Sequence, residues 1–252
     1  MRIRSLIRHA GLSAGRIVRA AFDAVLPVRC PFCGDFPENP SQYICEGCFD
    51  DLPRNSPCCP RCAAATVIAL PDGVLCGDCQ ANPPPFDAAV APLEYAFPVD
   101  AAVKRLKFDR KLFYAPAFAR LMADALAARI DDAEALQPVP LHRWRQLRRG
   151  FNQAHLLAGL IGRRLSLPMC DLVDRTRSTP SQSGLDRAAR RRNLRGAFRL
   201  RARTDAEHVV IVDDVMTTGE TGRRVAAMLR RSGVPRISML ALARAQSVNA
   251  GV

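Results

Sequence analysis

The chain has 252 residues, a hydrophobic fraction of 48% and a net charge of +13. That length holds one good-sized domain plus a small one, and no apolar run approaches the roughly 20 residues a membrane helix needs. The charge is concentrated: residues 143–203 carry 16 Arg against Asp171, Asp174 and Asp186, a surplus equal to that of the whole chain. A local excess of this size is a footprint for polyanions such as pyrophosphate, nucleotides or nucleic acid. Arg suits phosphate because its planar fork grips two oxygens at once.

Residues 1–27 are basic through Arg2, Arg4, Arg8, Arg16 and Arg19. Arg16 and Arg19 interrupt the apolar core that a signal peptide requires. Ile3, Leu6, Ile7, Ala10, Ala14, Ile17, Val18, Ala21, Phe22 and Val25 recur at helical spacing. An amphipathic leader helix packing on the protein's own domain is expected; a transit or membrane-surface helix is the alternative.

Eight of the ten cysteines fall in Cys-x-x-Cys pairs: Cys30/Cys33, Cys45/Cys48, Cys59/Cys62 and Cys76/Cys79. Each pair places two thiolates on one turn, and two pairs complete a tetrahedral sulfur cage, which selects Zn²⁺. Residues 28–82 have too few large apolar side chains for a core of their own, so a double zinc ribbon with two structural metal sites is expected. Sequential pairing is the simplest arrangement and an interleaved cross-brace the alternative. A disulfide framework fits poorly, since disulfide staples rarely come as repeated Cys-x-x-Cys. Cys58 abuts Cys59 at the wrong spacing from Cys62 for a knuckle, and Cys170 reads as a small core residue.

Pro83 to Pro85 make a stiff linker. Beyond it, strands and helices alternate. Ala88–Tyr95 reads as a strand, Val99–Phe108 and Pro116–Ile130 as helices, and Gln137–Leu141 as a short strand. Gln153–Leu165 follows as a helix, Val209–Asp213 as a strand, Thr221–Ser232 as a helix ending at Gly233, and Ile237–Ala243 as a last strand. This order predicts a mostly parallel sheet with helices on both faces over residues 86–245, binding its ligand at the carboxyl ends of the strands. After the strand at Gln137, arginines crowd around Trp144 up to Gly150. Pyrophosphate suits that place, held by backbone N–H groups and by Arg148 or Arg149. The long polar connection between Leu165 and Val209, with Arg175 and Arg177, is a candidate for a mobile loop that excludes water from the site. A solvated basic linker is the plainer alternative.

Residues 209–221, VVIVDDVMTTGET, carry the most chemistry. Four β-branched residues form a buried strand, Asp213 and Asp214 close it, and a hydroxyl-rich loop turns at Gly219 into a helix. Free N–H groups at the helix start and the Thr hydroxyls suit a phosphate. The two carboxylates would repel that phosphate, so they suit the hydroxyls of an attached sugar. A receiver domain also has an apolar strand ending in Asp-Asp, but it needs an Asp and a Lys on later strands, and residues 215–252 contain neither.

This stretch resembles the phosphoribosyl-pyrophosphate (PRPP) motif of type I phosphoribosyltransferases. The resemblance implies that Asp213 and Asp214 hold the ribose hydroxyls, that Thr217, Thr218, Gly219 and Thr221 surround the 5-phosphate, and that Mg²⁺ enters with PRPP. Taken with the four knuckles, with VPLHRWRQLRRGFNQAHLLA, with Leu106-Lys107-Phe108 and with the run Arg175 to Phe198, residues 26–244 resemble the ComF family. The fold implied is a type I phosphoribosyltransferase-like α/β domain preceded by a double zinc ribbon. The function implied is binding of PRPP or a nucleotide by a cytoplasmic protein, at the inner face of the membrane, that assists single-stranded DNA uptake with the DNA-uptake machinery in natural transformation. An active phosphoribosyltransferase of nucleotide metabolism and a zinc-dependent scaffold with a vestigial pocket are the alternatives. Thr217 stands where purine-salvage transferases have an acid, which disfavours 6-oxopurine salvage. Nine residues follow Ala243, too few for a C-terminal base-recognising hood, so a hood is expected from residues near 86–115 or from the ribbons.

Overall fold

A computed structural model describes residues 28–176 and 196–246; the expected leader helix over 1–27 and Arg177 lie outside them. The chain divides into two compact units at Asp51/Leu52. The first unit contains the knuckle Cys30–Cys33 and the short helix α1 (Glu46–Asp50), which Cys45 precedes at the N-cap. Its knuckle closes through Cys30 N to Asp35 O at 2.7 Å and Gly34 N to Cys30 O at 2.9 Å. Gly34 sits at φ 89°, a conformation an L side chain rarely adopts.

The second unit holds the other two knuckle halves, including helix α2 (Gly77–Ala81), together with the whole α/β domain. The ribbon-to-domain border expected from sequence at 82–86 therefore falls inside one compact unit. Asn55 is one link within that unit. It is 5% exposed, and its side-chain amide donates to Ala63 O at 2.9 Å in the knuckle and to Ala91 O at 3.0 Å at the sheet edge. Backbone bonds from Ala89 N to Pro60 O and from Glu94 N to Pro53 O extend the seam.

The main sheet is parallel in every pairing. Its strands are β1 (Ala88–Val90), β2 (Leu93–Glu94), β3 (Ala135–Pro138), β6 (His208–Met216) and β7 (Arg236–Arg244). The order is β1–β7–β6–β3, with β2 also on β7. β3, β6 and β7 are buried almost throughout, as the continuous apolar runs of a sheet covered on both faces require. Val209, Ile211, Ile237, Met239 and Ala241 share a core with Val225, Ala226 and Leu229 of helix α7 (Glu220–Arg231). Alternation turns Val210, Val212, Leu240 and Leu242 to the other face, where α4 (Tyr114–Ala127) packs on α6 (Gln153–Leu165). Helix α3 (Val99–Phe108) packs against α4.

Three features differ from the sequence reading. The strand expected over Ala88–Tyr95 breaks in two at Ala91–Pro92, because Pro92 O turns away to accept from Asn55 N at 3.1 Å. The arginine-rich stretch after His142 is a helix, α5 (Arg143–Arg149), capped by His142 Nδ1 accepting from Trp144 N and stopped by Gly150 at φ 87°. The connection between Leu165 and Val209 contains an antiparallel ladder, β4 (Val173–Arg175) with β5 (Phe198–Leu200).

Replacing Asn55 with Ala strands two buried carbonyls and is expected to cost roughly 1–3 kcal/mol. Urea denaturation of the zinc-loaded protein measures it; a change under about 0.5 kcal/mol would mean that the amide does not hold the ribbon to the sheet.

Candidate functional site

Two clusters gather metal-ligating atoms. Cys30, Cys33, Cys45 and Cys48 bring their sulfurs within 4.8 Å of one another, and Cys59, Cys62, Cys76 and Cys79 do the same. The sequential pairing is the one the fold adopts, and Cys59 rather than Cys58 enters the second cluster. The Cys33–Cys45 and Cys62–Cys76 sulfur separations are both 3.6 Å. A zinc tetrahedron with 2.3 Å bonds has edges of about 3.8 Å, so the donor set fits Zn²⁺. Backbone N–H groups of Asp35 and Cys76 donate to Cys33 and Cys59 sulfur at 3.4 Å, as partners of thiolates do. Burial raises the Cys30 and Cys59 thiols, but surrounding backbone N–H groups outweigh it and bring each down to about 7. Burial pushes Cys48 and Cys79 up. A metal ion entering these cages therefore releases protons.

The second centre lies at the carboxyl edge of the sheet. β6 carries Asp213 and Asp214 to that edge, and Thr217–Gly219 turn into α7. Gly219 sits at φ 71° as the helix N-cap. This loop, with Thr221, lines a cavity of about 370 Å³ that also receives Lys107, Phe108, Arg149, Asn152, Gln153 and Arg175. Asp213, Asp214, Thr217, Thr218, Gly219, Thr221, Arg149 and Arg175, expected at the site from sequence, thus converge on one cavity. Arg148 lies in α5, with its side chain outside the described residues, as is Arg177. A neighbouring cavity of about 1020 Å³ shares Asn152 and Arg175 and adds His142, His155, Arg199 and Arg201. Thr176, where the described chain leaves the β4–β5 ladder, lies on its wall.

Lys107 is the residue whose role the sequence did not reveal. Its Nζ lies 2.5 Å from Asp214 Oδ2, with side-chain exposures of 20% and 7%. Asp214 Oδ1 also accepts from Val215 N at 2.9 Å, and Asp213 Oδ1 accepts from Asp214 N at 2.8 Å. Burial works to raise Asp214, but the Lys107 ammonium outweighs it and holds the carboxyl below the usual range. Burial, then the charge of Asp214, pushes Asp213 well above that range. The two neighbours are thus electrostatically unlike. Glu220, which follows Gly219, is paired with Arg224 Nε at 2.8 Å.

The comparisons agree with this geometry. Residues 21–80 match the double zinc ribbon domain, and residues 152–249 match the phosphoribosyl transferase domain. Fold and site define a double-zinc-ribbon protein with a phosphoribosyltransferase-type domain. The chain is 37% identical over 208 residues to DNA utilization protein YhgH of Escherichia coli K12, covering 80% of this chain and 90% of the relative. It is 33% identical over 226 residues to Competence protein F of Haemophilus influenzae, covering 86% and 97%. The chain belongs to the ComF family. A purine phosphoribosyltransferase from Pyrococcus horikoshii superposes at TM-score 0.31 and 17% identity, over 52% of this chain and 72% of its own, a likeness too slight to argue from. No helix among the described residues is long and apolar enough to cross a membrane.

The unlike acids predict unlike variants. Asp214's depressed value contributes stability above the ordinary carboxylate pKa of about 3.9, lost as pH falls through the lower folded value. Asp213's raised value does the reverse, opposing the fold as pH rises from about 4. At pH 7, Asp214→Asn should lose roughly 2–4 kcal/mol by stranding Lys107, while Asp213→Asn should be neutral or stabilising. Chemical denaturation checks both; equal losses would contradict the pairing.

Proposed function

We propose that this protein binds PRPP, or a nucleotide that shares its ribose 5-phosphate, and handles single-stranded DNA. The observation that supports the first part most strongly is the convergence of the hydroxyl loop, the acidic pair and two arginines on one cavity. The 5-phosphate would accept from the N–H groups at the start of α7 and from Thr217, Thr218 and Thr221. Asp213 and Asp214 would accept hydrogen bonds from the ribose diol, which favours the ionised form of the raised Asp213. Arg149, Arg175 and the N-terminus of α6 would take the pyrophosphate. Mg²⁺ is expected to come in on the pyrophosphate oxygens, because Lys107 already neutralises Asp214. Reduced zinc thiolates and a PRPP ligand both suit the cytoplasm.

The DNA reading draws on the relatives named for competence and DNA utilization and on the surface between α3 and α5. Phe108, Phe113 and Trp144 are 67%, 56% and 71% exposed. The Arg149 guanidinium lies over the Phe108 ring at 5.2 Å, and Lys104, Arg105, Arg110 and Lys111, near Phe108 and Phe113 in the chain, are exposed. Exposed rings interleaved with cations are what unpaired bases and a phosphate backbone require.

For the pocket, calorimetric titration with Mg²⁺ and PRPP should give saturable heat that Asp213→Ala/Asp214→Ala abolishes. Heat in both proteins, or in neither, would sink the assignment. For DNA, affinity for an oligothymidine should fall steeply with salt. Lys111→Ala should reduce the log–log slope by about 0.7, and Phe108→Ala or Trp144→Ala should each cost about 1–3 kcal/mol at unchanged slope. A salt-independent affinity would remove the physical basis of DNA binding.

A further inference from the structure

The cavity at the acidic pair and the exposed ring surface overlap. Lys104, Phe108 and Arg149 line the cavity. The same three stand on the surface between α3 and α5, where Phe108 is 67% exposed and the Lys104 side chain 56% exposed. A ligand in the cavity and a strand on the surface would therefore draw on the same side chains. Arg149 matters most to both, because its planar fork binds two phosphate oxygens at once, whereas Lys104 is held by Asp100 at 2.7 Å.

The elements that carry these residues interlock. The Arg149 guanidinium covers the Phe108 ring at 5.2 Å. One residue further, Gly150 sits at φ 87°, and the Arg110 guanidinium carbon lies 3.5 Å from the place a Cβ would take there. Lys107, which precedes Phe108, is tied to Asp214 inside the cavity. The end of α5 and the residues around the end of α3 thus form one assembly that reaches from the acidic pair to the exposed rings.

This overlap fixes the sign of the effect one ligand has on the other. A pyrophosphate at the β3 end would turn Arg149 into the cavity and away from the Phe108 ring. A strand phosphate beside Phe108 would do the reverse. Two polyanions that touch one guanidinium also lie within a Debye length, ~8 Å at physiological salt, so screening leaves much of their repulsion in place. Both effects oppose joint occupancy, and linkage makes the penalty equal in the two directions.

We propose that PRPP and single-stranded nucleic acid bind this chain antagonistically, so that PRPP entering the cavity releases a bound strand. The antagonism presupposes both parts of the proposed function. Fluorescence anisotropy of a labelled oligothymidine on the zinc-loaded full chain tests it, without PRPP and with saturating Mg²⁺-PRPP at matched ionic strength and free Mg²⁺. PRPP should weaken the oligothymidine roughly tenfold and lower its log–log salt slope by about 0.7, one cation withdrawn. Calorimetry should show the oligothymidine weakening PRPP by the same factor. Asp213→Ala/Asp214→Ala keeps Lys104, Phe108 and Arg149, so its strand affinity should stay within about twofold when PRPP is added. Zinc content and circular dichroism check the fold of that variant. Asp213→Asn, for which no loss of stability is expected, should raise the PRPP concentration that releases half the strand. If each ligand binds alone and PRPP leaves the oligothymidine within about twofold, or tightens it, the antagonism is overturned while both ligand assignments stand. Release that persists undiminished in the double variant and in Asp213→Asn would also overturn it, since PRPP would then act as a competing anion on the surface. A ligand that fails to bind by itself removes its own assignment and the antagonism with it.

Discussion

Two adjacent carboxylates at the end of a strand buried on both faces make the contact between Lys107 and Asp214 the interaction on which the rest of the site depends. Without a cation, Asp213 and Asp214 would share a poorly solvated edge at mutual cost. The cation comes from α3, which must therefore lie where Lys107 reaches the end of β6. That position fixes the next residue, Phe108, at the mouth of the cavity, where Arg149 of α5 covers its ring. The loop from Phe108 to Phe113 is thus anchored at its start twice, by an ion pair at Lys107 and by a cation–π contact at Phe108. Pocket and exposed aromatic surface are parts of one arrangement, and Arg149 belongs to both.

The two zinc clusters share one ligand chemistry but serve different structural purposes. The first closes a small unit of its own, in which Gly34 takes the left-handed turn of the knuckle. At the matching turn of the second knuckle stands Ala63, at φ 52° and with no exposure. A left-handed alanine costs roughly 1–2 kcal/mol. Its methyl is buried in the same apolar cluster as Phe86 and Ala89, which offsets about 0.8 kcal/mol, and its carbonyl takes the Asn55 amide. The knuckle is built to be gripped by the sheet, and its backbone carbonyls at Pro60, Cys62 and Ala63 all accept from the α/β domain or from the segment leading into it.

Most of the α/β domain was legible because β6 and β7 are continuous apolar runs and α3 and α6 are long enough to show a helical period. Their observed limits fall within a few residues of those the apolar pattern suggests. The three-residue strands β4 and β5 carry Asp174, Arg175 and Arg199 and show no period at all; only their pairing across the intervening residues makes them strands. Helix α5 was hidden for a different reason. Trp144 and Leu147 are exposed, so no buried stripe marks it, and only His142 and Gly150 signal its ends. The phosphate loop was legible as a unit because its residues are consecutive. The partner of Asp214 was not, since Lys107 is brought to it by the fold rather than by spacing.

The carboxyl edge changes chemical character along its length. At β3 the lining is cationic, with Arg149 and Arg175 beside the N-terminus of α6. At β6 it is hydroxyl-rich, with one acid neutralised by Lys107 and the other left for a donor. Beside β7 it is mixed, with Asp78, Arg223 and Arg244 among the lining of a smaller cavity. On the proposed reading, polyanion and sugar would meet suitable partners in that order. A nucleic acid strand carries phosphate, sugar and base in a different arrangement. Its phosphates would compete for the cations of the β3 end, while its bases would find the exposed rings at Phe108 and Trp144. On the proposed reading, Arg149 is where the two ligands meet, because it lines the cavity and also covers the ring outside it.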